Sequence, residues 1–419
     1  MGWTKNAIVP GPKGEILPLS DSIIVWSTIA VLVLAPIVRG AVDPVYICLV
    51  AAVLATSLFL FLFNVIQREG QTIKFSGLEL PLFCLLLLGI LSYFSSAYPE
   101  NTERKLGFFL LCFVLFFLVQ NFFSDRNRVI IFSFAVVASG IALSLFGLFK
   151  YAITMGTPAW KEGLSSTYVN RNHFAGFLEL CLPLALGLIL YVTDKGKKAI
   201  LSYGIALMVI ALVLSLSRGG WIGAVLSLFF MAFLAKKKGL LSKRMWVVSA
   251  VVFILFCTSL VGLNSISERL STFGQFLKDP INFETRLRVW RGTMQIIQNH
   301  PLLGTGLGTF AYSFPPFRTA GITNRYTYAH NDFLHFTSEL GLLFLPLFLW
   351  LIFSASRAGI SIFFNTKSAL KRGISLGCTV GVLAIIVHSV FDFNLQIPAN
   401  ALLFFSYLGM IGGLKKSYE

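Results

Sequence analysis

Charge is what this chain has least of. Only 12% of its 419 residues are charged, against 56% hydrophobic, and the mean hydropathy is +0.79. A soluble domain carries roughly 25% charged residues, so an ordinary soluble fold is excluded and the chain reads as an integral membrane protein. Acidic residues are the scarcer sign: 18 Asp+Glu stand against 34 Lys+Arg, leaving a net +16. No basic run is interleaved with aromatics, so this positive balance does not point to nucleic acid. The six cysteines (Cys48, Cys84, Cys112, Cys181, Cys257 and Cys378) stand singly in apolar stretches, without the pairing that a disulfide framework or a zinc site needs. No internal repeat relates the two halves, which counts against a transporter built from related bundles. The polar residues 1–21 lack a short apolar core followed by a small-residue cleavage site, so no removable leader is expected.

What is present is hydrophobic length. A membrane-spanning helix needs about 20 mainly apolar residues, and about twelve such stretches are expected: roughly 22–38, 45–66, 78–96, 106–123, 129–150, 173–193, 198–216, 219–235, 245–263, 333–354, 373–391 and 398–414. Basic loops set orientation. With the N-terminus inside, Arg68, Arg126, Arg128, Lys236, Lys237, Lys238, Arg372 and Lys415 all fall on the cytoplasmic side, and both termini are expected there. The chain therefore reads as one all-α polytopic domain over 1–419, with a long outer loop at 264–332 between spans nine and ten. That loop carries Arg269, Arg286, Arg288, Arg291, Arg318 and Arg325 on the side where orientation rules make cations scarce. Arginine's planar fork grips phosphate at two points, so the loop points to an anion site.

Four patterns can carry chemistry. Ser217-Arg218-Gly219-Gly220-Trp221 joins two apolar stretches with almost no loop; an Arg at that depth is costly without an anionic partner or water, and the glycines would admit a ligand close to the backbone. A tight turn with a snorkelling Arg is the plainer reading. In Glu284-Thr285-Arg286-Leu287-Arg288-Val289-Trp290-Arg291, the residues Leu287, Trp290, Met294 and Ile297 recur at helical spacing, predicting an amphipathic helix on the membrane surface. Arg286 and Trp290 share a face of it. The following His300-Pro301-Leu302-Leu303-Gly304-Thr305-Gly306-Leu307-Gly308 lacks the preceding strand that a nucleotide-binding glycine loop requires. Ala329-His330-Asn331-Asp332-Phe333-Leu334-His335 puts His330 at the start of span ten, as a candidate general base. His330 and His335 point about 140° apart on a helix, which argues against zinc, and His335 reads as a buried helix residue. Finally, the stretches from Tyr168 to Gly176, with Asn170-Arg171-Asn172-His173, and from His388 to Asn400, with Asp392, are polar segments at outer ends of spans, able to line one cavity or simply to cap helices. Two cations and one base at an outer boundary suit the transfer of a group from a phosphorylated lipid.

In these residues the chain resembles the O-antigen ligase and polymerase superfamily of bacterial inner-membrane proteins. The matching elements are Asn172-His173-Phe174-Ala175-Gly176, Ser217-Arg218-Gly219-Gly220, Arg286 with Trp290, His300-Pro301-Leu302-Leu303-Gly304 with Gly306, and His330-Asn331 with Leu334. The likeness runs from about 160 to 400; earlier residues match only as hydrophobic spans. It implies a GT-C-like, metal-independent glycosyltransferase without a cofactor, its active site facing the periplasm. Arg218 and Arg286 would contact the pyrophosphate of an undecaprenyl-linked glycan donor, and His330 would activate the acceptor. Arg288 and Arg291 are further cations without a motif role, and Asn172, Asn331 and Asp392 are candidates for lining or supporting the cavity. The leading expectation is an inverting O-antigen ligase moving a preassembled glycan onto lipid A–core oligosaccharide. The alternatives are a polymerase with a lipid-linked glycan acceptor, a protein-directed transferase, or, in a different class, a twelve-span transporter or flippase.

Overall fold

The computed structural model describes residues 19–68, 73–157, 162–242, 280–319 and 325–416, and among them there is helix but no strand. In chain order the long helices are α1 (Leu19–Ile37), α2 (Pro44–Gln67), α3 (Glu79–Phe94), α4 (Pro99–Phe122), α5 (Arg126–Ile153), α6 (Arg171–Ile189), α7 (Lys195–Leu214) and α8 (Arg218–Lys237). They continue with α9 (Pro280–Asn299), α10 (Asp332–Leu340), α11 (Phe344–Asn365), α12 (Ala369–His388) and α13 (Pro398–Lys416). Several begin on a side-chain cap. Asp125, Asn170, Asp194, Ser217, Asn331 and Ser368 each accept a hydrogen bond from a first-turn N–H, satisfying donors that the helix itself leaves open.

Nine of the described helices are long and apolar enough to cross a membrane. The expected span nine and Arg269 lie outside the described residues. The expected span ten is corrected: the chain breaks at Gly341 (φ +81°) into the short α10 and the long α11. The break has a physical cause. Gly341 lies directly against the Leu302 carbonyl, and Leu342 N–H donates to Pro301 O at 2.8 Å, so the outer loop is stitched into the gap. The last expected span exists as α13, but it is buried along nearly its whole length rather than lipid-facing.

The core is formed by α6, α12 and α13, with α4 against α13. Glycines set the closest contacts. The backbones of Gly187 on α6 and Gly373 on α12 meet directly, and Gly377 leaves room for the Leu184 Cα, which would lie 2.7 Å from a Cβ there. Small residues allow such approach between membrane helices, where packing replaces the hydrophobic effect as the drive for association. Gly373→Val is therefore expected to wedge α12 off α6 and destabilise the fold by about 1–3 kcal/mol or more. Thermal unfolding in detergent checks this, and a wild-type midpoint would contradict the packing account. Outward-facing Phe59, Ile66, Phe83, Phe94, Phe149 and Phe353 are exposed, as a lipid-facing belt requires.

The helices alternate between two ends of the bundle. At one end Arg68 and Arg128 converge on Asp21 at 2.8 and 3.6 Å, Lys415 donates to Ser76 O, and Lys238 donates to Phe364 O. At the other lie the first turns of α6 and α8, the turn between α12 and α13, and the outer-loop helix α9.

The sequence periodicity of α9 needs a correction. Its buried residues include Val289, Thr293, Ile296 and Ile297, whereas Met294 is 45% exposed. Val289 and Ile296 pack with Phe310, Phe314 and Ala329, so this face is turned to its own loop. The glycine run is structural. Gly304, Gly306 and Gly308 all have positive φ, which glycine adopts without a Cβ clash. The N–H groups of Thr305 and Gly306 donate to the carbonyls of Ser338 and Glu339 at 3.0 Å each. Amides that a phosphate-binding loop would offer a nucleotide are thus committed to the end of α10.

Candidate functional site

The site gathers around one carboxylate. Asp392, in the turn between α12 and α13, has a side chain only 2% exposed. It accepts hydrogen bonds from Asn172 Nδ2 and from the Phe393 N–H. His330 Nδ1 lies 3.4 Å from its Oδ1, Arg286 Nη2 lies 3.9 Å from its Oδ2, and His173 Nε2 lies 4.0 Å from Oδ1. Burial pushes this carboxyl up, but the neighbouring His330 and His173 rings and the Arg286 charge outweigh it and hold the pKa well below the usual carboxylate range.

His330 is held in an unusual backbone state, with φ +52°. That left-handed region costs a non-glycine residue about 1–3 kcal/mol and persists only where the surroundings enforce it. The enforcing contacts are visible. Trp290 Nε1 donates to Ala329 O at 3.0 Å. Asn331 caps α10 by accepting from Leu334 N–H, and Asp332 N–H donates to Ser389 O at 2.8 Å. Phe393 meets the His330 ring edge-on at 4.9 Å and stacks on Tyr328 at 4.2 Å. With Nδ1 directed at Asp392 and the side chain 26% exposed, the opposite ring edge is the one a substrate can reach.

The cations arrive on separate helices. Arg286 on α9 donates to Phe391 O at 2.8 Å and remains 33% exposed. Its neighbour four residues on, Trp290, holds the His330 segment, so one face of α9 fastens both halves of the site. Arg218 is the first residue of α8. The next residue, Gly219, lies against His388 and Phe391; a Cβ there would stand 2.7 Å from the His388 ring and 3.4 Å from Phe391. Gly220 leaves room for Ala175 in the same way. These glycines admit protein side chains, not a ligand as the sequence suggested, and they pin Arg218 to the turn that Arg286 also contacts.

The remaining candidates divide. Asn172 joins the Asp392 cluster, while Asn331 serves as a helix cap. Arg288 pairs with Glu284 at 2.6 Å, about 200° round the helix from Arg286, and Arg291 is exposed further along. His335 is buried between Ala329 N–H and Glu339, with Nε2 3.3 Å from the carboxylate. Sequence reasoning placed Arg171 and His388 in segments able to line one cavity but missed the contacts they make at this end. Glu179 and His388 form a fully buried pair at 2.6 Å behind the α8 turn, and Arg171 starts α6 beside the cluster. Partners so far apart in the chain leave no spacing signal. Among the described residues no group of three or more His, Cys, Asp or Glu is placed to hold a metal ion.

An all-helical polytopic membrane protein with a His–Asp pair and arginines at one end of its bundle is thereby defined. Residues 203–349 match the family model described as O-antigen ligase, which supports the chain's place in the O-antigen ligase superfamily, whose members are glycosyltransferase-like ligases and polymerases acting on lipid-linked glycans. The matched stretch is about a third of the chain and contains Arg218, Arg286 and His330. Arg171, Asn172 and Asp392 fall outside it. Comparison with curated proteins gives no match.

Proposed function

We propose that this protein is a GT-C-like glycosyltransferase that moves a preassembled glycan from undecaprenyl pyrophosphate to a hydroxyl of lipid A–core oligosaccharide, at the periplasmic face of the bacterial inner membrane. The observation that carries the reading is the convergence of His330, its carboxylate partner Asp392, and two arginine-bearing helices on a single turn. In the reaction the acceptor O–H loses its proton to the free ring nitrogen of His330. The acceptor oxygen forms a bond to the anomeric carbon from the face opposite the leaving group, inverting it. The bond from that carbon to the pyrophosphate oxygen breaks, and undecaprenyl pyrophosphate departs with the electron pair. Asp392 orients the His330 ring through Nδ1, leaving Nε2 as the acceptor of the proton. Arg218 and Arg286 stabilise charge growing on the leaving group, the work a metal ion does elsewhere.

A lipid-borne substrate has apolar surface to meet. Between α3, α4, α10, α11 and α13 lies a small apolar cavity of about 50 Å³, lined by Leu85, Phe108, Phe336, Phe348 and Phe404, with Lys105 as its one charged residue. The basic end of the bundle, with Arg68 and Arg128, would face the cytoplasm. A transporter would instead distribute polar groups along a path through the bundle.

The test is transfer in proteoliposomes containing a defined undecaprenyl-pyrophosphate glycan and purified lipid A–core. Arg286→Ala is expected to lower kcat/KM by about 10²–10³-fold, while a chelator leaves transfer intact. Wild-type activity in the variant would sink the assignment. Offering a second lipid-linked glycan in competition separates ligase from polymerase: elongation of that glycan with no product on lipid A–core would make the protein a polymerase.

A further inference from the structure

The pyrophosphate reading assigns no role to Arg171, which stands beside the Asp392 cluster. We propose that Arg171 grips the second phosphate of the donor and thereby sets a preference for a diphosphate over a monophosphate carrier, an inference that rests on the pyrophosphate reading above. Arg171 is the first residue of α6. The residue before it, Asn170, caps the helix by accepting from Asn172 N–H at 2.8 Å, and Asn172 itself donates to Asp392. Arg171 is thus one residue from the centre of the site.

Its stem is placed by a second contact. The chain at Gly163 (φ +85°) lies over the turn that leads into α8: Leu164 N–H donates to Leu214 O at 2.9 Å. A Cβ on Gly163 would stand 2.7 Å from Ser215 O and 3.2 Å from the Arg171 Cδ. The Arg171 side chain therefore runs alongside the turn that presents Arg218. Its Nη1 donates to Glu162 O, which fixes one edge of the guanidinium. Burial disfavours the Arg171 charge most, the nearby Glu162 carboxylate favours it, and Arg286 repels it more weakly.

Arg171 and Arg218 thus stand at the turn between α7 and α8 and Arg286 at the neighbouring turn between α12 and α13; of the carboxylates near them, Asp392 is engaged by Asn172 and Glu162 is exposed. Like charges gathered this way favour an anion with more than one phosphate. A monophosphate presents oxygens enough for one or two planar forks, and a diphosphate presents a second set for the third. The first turns of α6 and α8 also direct their positive ends toward this region.

The probes are farnesyl diphosphate and farnesyl monophosphate, titrated against the full-length protein in nanodiscs. Wild-type protein should bind the diphosphate at least about tenfold more tightly. Arg171→Ala should weaken the diphosphate about 10–100-fold, the scale of a lost charge-assisted pair, and leave the monophosphate nearly unchanged. Arg171→Lys should recover part of the loss, and it serves as the folded comparison if the alanine variant does not fold. An equal loss for both probes, or none for either, overturns the proposal. Arg286→Ala should weaken both probes. If it weakens both while Arg171→Ala changes neither, only the role of Arg171 falls. If wild-type protein binds neither probe, or Arg286→Ala and Arg218→Ala change neither, the pyrophosphate reading falls with it.

Discussion

Replacing His330 should slow glycan transfer by about 10²–10⁴-fold, the usual contribution of a positioned general base, with donor binding largely kept. The choice of variant matters because of the backbone. His330 sits at φ +52°, where alanine is strained but asparagine is several-fold enriched. His330→Asn removes the base while tolerating the conformation, so it is the cleaner probe, and His330→Ala reports base and strain together. Both should show the loss in kcat. Reconstituted transfer at saturating donor measures it, and near-wild-type turnover in His330→Asn would falsify the base assignment. A fall in donor affinity with kcat intact would point instead to a binding role.

The sequence announced the class of the molecule more fully than the geometry of its candidate site. The nine membrane-length helices among the described residues were legible as apolar stretches because lipid imposes a length on every span. Span ten was misread because hydropathy registers Leu342 and Leu343 but not the backbone of Gly341, whose positive φ lets the outer loop enter. Arg218, Arg286 and His330 were legible as polar groups where apolar ones belong. The glycines beside Arg218 were legible as close approaches, though not as to what approaches: the occupants are His388, Phe391 and Ala175, all remote in the chain. The buried face of α9 was misjudged for a related reason. Four apolar residues at helical spacing fit two overlapping faces, and contact with Phe310 and Phe314 selects the one with Val289 and Ile296. Asp392 was legible only as a polar residue at a helix end; its partners come from α6, α9 and the His330 segment.

Asp392→Asn is the second large effect expected, a loss of about 10²–10⁴-fold in kcat, because an amide cannot anchor the His330 ring as an anion does. The pH dependence separates this carboxylate from its neighbour. Asp392 has a depressed pKa in the folded protein, so its stabilising contribution is fully present above the ordinary carboxylate range of about 4 and is lost only as pH falls below that range. Between pH 5 and 8 it stays ionised, and the variant's deficit should persist across that window. Asp332 behaves oppositely. Burial pushes its carboxyl up to about 7 against hydrogen bonds from the Leu395 N–H and Ser389 hydroxyl, and its Oδ1 has no hydrogen-bond partner and can carry the proton. A raised folded pKa means that wild-type stability falls as pH rises from about 4 to about 7, then levels off. Asp332→Asn, which mimics the protonated form, should therefore retain most of the activity and remove that decline in thermal stability. Profiles of kcat and of unfolding temperature from pH 5 to 8 for both variants decide the matter. An acid limb in the wild-type kcat profile that disappears in Asp392→Asn would mean that Asp392 titrates in this range, and its role as a permanently charged anchor for His330 would have to be given up.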